Sequence, residues 1–284
     1  MQMRAILTIL AAFAAMATVD ASVFAADSGS TIKGFEVNQT LLDSDVALAK
    51  SMAQLLAKQP TELKSLLSRF DTADIREDRP IGFGFRQLFL PMYGGYTTIW
   101  LHLVVTQESI IALECVQSGM ADSWGSIAAA IRKAWQRAPV ESTETSDTFV
   151  TYVDRAKLDS VLSRELGERA TTAAPGSSEK PFHLLLSPFE QLDVGSSCYY
   201  TGAKPPGRVA IDQLTSSGRY DLIRAILRGP SPEGRTYAAL ALIKDQKMTP
   251  ADATVVQKLK ALNIPIHVCN GCELSTQRFA DMVR

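Results

Sequence analysis

The sequence predicts an α+β protein, and three observations carry that expectation. Residues 83–117 are dense in aromatic and β-branched residues, broken at Gly94-Gly95 and again at TQES, as in an antiparallel meander. Apolar residues at helical spacing lie on both sides of this run, and from about residue 209 helical punctuation takes over. Between the two regimes TTAAPGSSEKP, residues 171–181, has the composition of a linker. The expected organisation is therefore an α+β part at 26–170, a linker at 171–181 and a mainly helical part at 182–284.

The elements follow in order. In 43–58, DSDVALAKSMAQLLAK, Val46, Ala49, Ala53 and Leu56 share one helical face behind an Asp/Ser start, and Pro60 ends the run. A short helix is expected at 61–70, capped by Thr61. Strands are expected at 83–91, 96–105 and 109–117; the middle one places Ile99, Leu101, Leu103 and Val105 on a core face and Trp100, His102 and Val104 on the other. Gly82-Phe83-Gly84 falls inside the first strand and is too bare a G-x-G to read as a phosphate or dinucleotide loop. In 121–137, Trp124, Ile127, Ile131 and Trp135 form a stripe suited to covering the sheet. A strand at 148–153 and a helix at 155–168 complete the first part.

After the linker come the apolar run FHLLLSPF and the loop DVGSSCYYTGAKPPGR. Leu222, Ile223, Ile226 and Leu227 form a stripe ended by Gly229-Pro230. Ser231-Pro232 and Thr249-Pro250 then open two further helices, a cap followed by a proline whose missing N–H would have had no intrahelical partner. Residues 210–264, with GRTYAALALI as the inner helix, resemble the antiparallel helix pairs of HEAT or armadillo repeats. That resemblance implies stacked helical units and a concave binding surface; a compact helical cap is the other reading of the same spacing.

The first residues read as a cleavable secretory signal: Arg4, an uncharged apolar run from Ala5 to Ala17, and small residues at Val23-Phe24-Ala25. That run is shorter than the ~20 residues a membrane span needs. Cleavage near Ala25 would leave about 259 residues, enough for real cores without obligatory disulfides. The expected product is a soluble secreted or periplasmic protein. With 29 Lys and Arg against 30 Asp and Glu and no basic cluster, the chain has no footprint for nucleic acid or an anionic membrane. In a eukaryotic host, Asn38-Gln39-Thr40 would be a glycosylation acceptor.

Chemistry concentrates near the C-terminus, in HVCNGC. The chain has four cysteines, Cys115, Cys198, Cys269 and Cys272, and an oxidising compartment makes pairing the default. Cys269 and Cys272 are the candidate disulfide or redox pair; Cys115 and Cys198 are further possible disulfide partners, Cys115 as a buried strand residue beside Ile111 and Leu113. The C-x-x-C spacing allows a bond to close and reopen. Reading IPIHVC as the strand and STQRFADMVR as the helix of a thioredoxin-like unit leaves no chain for the rest of that fold, so a structural staple at the Asn-Gly turn is favoured, tying the last strand-turn to itself or to the loop at Cys198. A metal set of His267, Cys269 and Cys272 is the weaker alternative. His102 and His183 read as ordinary hydrogen-bonded or surface histidines. Trp124-Gly125-Ser126-Ile127-Ala128 lacks the second glycine of a nucleophile elbow, and Ser177-Ser178-Glu179-Lys180 has S-x-x-K spacing in a linker.

The expected function is a non-enzymatic, disulfide-stabilised protein-binding or scaffold module of the cell envelope, with a protein partner and no cofactor. The alternative is a thiol-dependent enzyme using Cys269 and Cys272.

Overall fold

Helix α1, Gln39–Ala57, starts at Asn38, whose side-chain oxygen accepts the N–H of Thr40 (3.0 Å) and of Leu41 (3.4 Å). The computed structural model describes residues 37–57, 62–68, 75–107, 109–119, 141–142, 148–152, 154–169, 178–198 and 200–284. The expected signal at 1–25, the expected helix at 121–137, Thr61 and residues 171–177 of the expected linker lie outside them. The helix begins earlier than its Asp/Ser signal implied because Asn38 is the cap. Asp45, read as part of that start, is instead a buried mid-helix residue. Its carboxylate accepts the N–H groups of Gly95 (2.8 Å), Tyr96 (2.9 Å) and Thr97 (3.1 Å), so α1 holds the turn of a neighbouring hairpin.

A short helix α2, Leu63–Leu67, follows, and its cap residue Glu62 makes no side-chain capping bond. Strands β1 (Glu77–Gly82), β2 (Phe85–Tyr93), β3 (Thr97–Thr106), β4 (Ser109–Gly119), β5 (Glu141–Ser142) and β6 (Thr148–Tyr152) form one sheet, ordered β1-β2-β3-β4-β6-β5, with antiparallel pairing throughout. The meander and β6 match the sequence expectation; β1 does not, because EDRPIG carries no alternation. Gly82-Phe83-Gly84 does not run inside one strand: Gly82 ends β1. Phe83 and Gly84 are the loop between β1 and β2, with φ of +57° and +80°, the left-handed pair that a type I′ turn requires.

Both sheet faces are covered. Ile99, Leu101, Leu103 and Val105 pack with Leu88, Leu90, Leu113 and Cys115 against Ala49, Met52 and Leu55 of α1. Ile110 pairs with Val105 and Ala112 with Val104, so Ile111 is an extra residue in β4. That bulge shifts the side-chain phase: Ile111 joins the opposite cluster, not the face of Leu113 and Cys115.

The remaining elements are α3 (Arg155–Leu166), α4 (Glu179–Leu186), α5 (Pro206–Ser216), α6 (Tyr220–Leu227), α7 (Pro232–Lys244), α8 (Pro250–Lys260), β7 (Pro265–Asn270), β8 (Glu273–Arg278) and α9 (Phe279–Met282). FHLLL lies in α4, and STQR, read above as the start of a helix, belongs to strand β8. Ser231 caps α7 by accepting the Gly234 N–H, and Thr249 with Asp252 forms a capping box on α8. Helix α7 is buried nearly all round, packing against α4, α5, α6, α9 and β7. An inner helix enclosed in this way is the centre of a compact helical cluster, not one layer of a solenoid. The apolar cluster around it continues into Ile81, Phe85, Val104, Ile111 and Ala112, so the regions on either side of 171–181 share one core.

Candidate functional site

The C-terminal hairpin is built on Asn270-Gly271-Cys272-Glu273. Asn270 faces Glu273 across a two-residue loop whose first member, Gly271, has φ +58°; a glycine there lets the strands reverse without steric cost. Strand β7 is paired on both sides: with β8, and with a segment from the 190s loop running parallel to it. Val194 donates its N–H to His267 O (2.8 Å) and accepts from Cys269 N (3.2 Å), and Gly271 N donates to Ser197 O (3.1 Å).

A disulfide joins Cys198 of that loop to Cys269 of β7, with Cα atoms 5.5 Å apart and a sequence separation of 71. Of the sequence-predicted cysteines, the structure thus brings together Cys198 and Cys269. Cys272 stands exposed on the hairpin loop with a free thiol, and Cys115 is buried in β4, where burial pushes its thiol far above the usual range, aided by the charge of Glu114. Cys269 and Cys272 are not bonded to each other. Gly195 makes the loop's approach possible: a Cβ there would lie 2.3 Å from Cys269 O and 2.7 Å from Cys269 Sγ. Its N–H donates to Tyr237 Oη (3.2 Å), which in turn donates to Asp193 O (2.7 Å). Burial raises the Tyr237 phenol to about 12, so it stays a neutral donor that pins the loop to α7.

His267 does not share a ligand set with the cysteines. Its Nε2 lies 3.1 Å from Glu77 Oε1, and its backbone N–H donates to Glu233 Oε1 (3.1 Å). Among the described residues no group of three or more His, Cys, Asp or Glu is placed to hold a metal ion. His102 Nδ1 lies 2.8 Å from Glu114 Oε2 with its ring edge-on to Phe89, and His183 is exposed on α4.

Sequence reasoning missed the charged seam beside the hairpin. Arg79 of β1 makes a bidentate pair with Glu233 of α7 (2.6 and 3.1 Å), its Nε donates to Gln87 Oε1 (2.8 Å), and Gln87 donates to Pro188 O. Burial alone would raise the Glu77 carboxyl, but His267 and Arg79 outweigh it and hold the carboxyl below the usual range. Arg235, fully buried, donates to Gly229 O (2.6 Å) and Ile81 O (2.8 Å) beneath the Phe83 ring, and burial lowers it to about 9 against the opposing charge of Glu233. No local signal marks these residues, because each is paired with one more than 100 positions away.

Two surface features adjoin the disulfide. Tyr200 is 98 % exposed on a turn closed by Cys198 N donating to Ala203 O (2.8 Å). Strand β8 is exposed at all six positions, including Leu274 at 61 %, and pairs only with β7 among the described residues. The ladder defines which of its groups are open. Asn270 and Glu273 close the loop, so Glu273, Ser275 and Gln277 bond toward β7, while Leu274 and Thr276 direct their N–H and C=O groups outward. The same alternation turns the amides of His267 and Cys269 away from β8, and both have partners on that side. No helix among the described residues is long and apolar enough to cross a membrane. No family model, curated protein or solved structure matches the chain.

Proposed function

We propose that this protein is a non-enzymatic, disulfide-stabilised binding module that acts outside the cytoplasm and receives a protein partner by strand addition on β8. The open edge of β8 carries this reading. An extended peptide laid along it meets the outward N–H and C=O groups of Leu274 and Thr276, with Leu274 as an exposed apolar contact on the same strand. The disulfide and Tyr237 hold the ground on which that edge sits, which lowers the ordering cost of binding. A secretory signal and a disulfide suit the same compartment. Apart from the free thiol of Cys272, the chemistry-bearing groups at this end of the molecule are spent on one another: Cys269 on Cys198, His267 on Glu77, Glu233 on Arg79.

Thr276→Pro tests it. Proline there removes an outward N–H without removing a bond to β7, so the hairpin survives and the edge is blocked. Wild type used as bait on a crosslinked envelope extract should recover a defined partner, and Thr276→Pro, with an unchanged urea midpoint, should recover at least tenfold less. Equal recovery by the two proteins, or recovery of the bait alone, would remove strand addition at β8 as the binding mode.

A further inference from the structure

The free thiol of Cys272 lies three positions from a disulfide whose two residues are buried, Cys198 fully and Cys269 at 2 % exposure. A thiol from solution has poor access to that bond; Cys272 belongs to the same hairpin as Cys269. A second link brings it closer still, since Cys198 bridges Gly271, the chain neighbour of Cys272, and Gly271 N donates to Ser197 O (3.1 Å). Cys198, Cys269 and Cys272 are thus gathered on one paired turn, while Cys115 sits apart in β4.

We infer that these three cysteines form an internal thiol–disulfide exchange switch. The Cys272 thiolate attacks Cys269 Sγ, the Cys198–Cys269 bond breaks, and a Cys269–Cys272 bond forms. Cys198 leaves as a thiolate and takes up a proton, Cys272 having given one to solvent. One disulfide is exchanged for another, so no oxidant or reductant is consumed. In the first state the loop carrying Tyr200 is tied covalently to β7; in the second it keeps the backbone bonds of Val194 and Ser197 to β7 and its turn and the bonds of Asp193 and Gly195 to Tyr237, with no covalent tie at Cys198. The regulatory consequence, a β8 edge whose supporting loop is either covalently fixed or released, rests on the binding reading above; the exchange itself does not.

Purified protein incubated from pH 6 to pH 9, quenched in acid, and labelled with a maleimide in denaturant reports which thiol is free. Beside a constant label on Cys115, which the denaturant exposes, the label should sit on Cys272 at low pH and move in part to Cys198 as pH rises, with Cys269–Cys272 appearing in the peptide map. Cys272→Ser should show no label at Cys198, and Cys198→Ser should isolate the Cys269–Cys272 bond after oxidation. Chymotrypsin should cut after Tyr200 faster in the exchanged form. Label confined to Cys115 and Cys272 at every pH, or a Cys198→Ser protein that leaves Cys269 and Cys272 both reduced under oxidant, would overturn the switch. None of these readings requires a partner, so failure of the binding reading leaves them standing.

Discussion

At the scale of single residues, the buried pair of Arg79 and Glu233 sets the strongest constraint. Their side chains are 6 % and 0 % exposed, and Glu233 also accepts the His267 N–H. Two charges removed from water are tolerable only while they are paired, and removing Glu233 leaves Arg79 with only Glu77 (3.0 Å), a carboxylate already shared with His267. Glu233→Ala should therefore lower unfolding free energy by about 3–5 kcal/mol, read as a fall in urea midpoint with an unchanged slope. Arg79→Met combined with Glu233→Leu should recover most of that loss, because the desolvation cost disappears with both charges. A double variant no more stable than the single one would mean the pair is held by more than mutual compensation. Nothing near Arg79 in the sequence announces this: EDRPIG reads as a polar connection, and only the fold brings it to α7.

Among elements, the meander and the helices α3, α6, α7 and α8 were legible because local signals agree with burial. Alternation marks β3, a Ser or Thr cap followed by Pro marks α7 and α8, and Gly229-Pro230 ends α6. What stayed hidden had a physical reason in each case. Strand β1 contains Pro80 and charged residues because it is an edge strand, and β8 is polar except at Leu274 because both its faces are exposed. The Cys198–Cys269 bond was one of several open connectivities, since sequence spacing does not say which loop lies beside β7.

The capping box of α8 supplies a pH test. Asp252 is buried, which alone would raise its carboxyl, but bonds from Thr249 and ion pairs with Arg228 and Arg224 outweigh burial and lower it. A carboxyl lowered by folding binds fewer protons in the folded state than in the unfolded one. Its stabilisation is whole above the ordinary Asp range and is lost as pH falls through the lowered value. Wild type should lose stability between pH 5 and pH 2 more steeply than Asp252→Asn, which should already be weaker at pH 7. Parallel stability–pH curves for the two proteins would remove Asp252 from the acid response.

For the whole molecule, the disulfide and the shared core reinforce each other. The apolar cluster runs from Ile81 and Phe85 in the sheet through α7 to Phe279 and Val283, so the C-terminal hairpin is an outer layer over a core that also holds the sheet. The bond from Cys198 to Cys269 closes a loop with a sequence separation of 71 that contains α5, α6, α7 and α8. Chain-entropy arguments give a cross-link of this length about 4 kcal/mol of stabilisation, acting mainly by restricting the unfolded chain. Cys198→Ser should then lower the unfolding free energy by an amount approaching that figure, read as a fall in urea midpoint. Because Gly195, Tyr237 and the backbone bonds to β7 remain, the folded hairpin should persist at low denaturant, with α7 amides keeping their exchange protection. A loss much below 1 kcal/mol would show that the unfolded chain is already restricted in this region. Loss of protection in α7 would instead make the disulfide a condition for assembling the core itself.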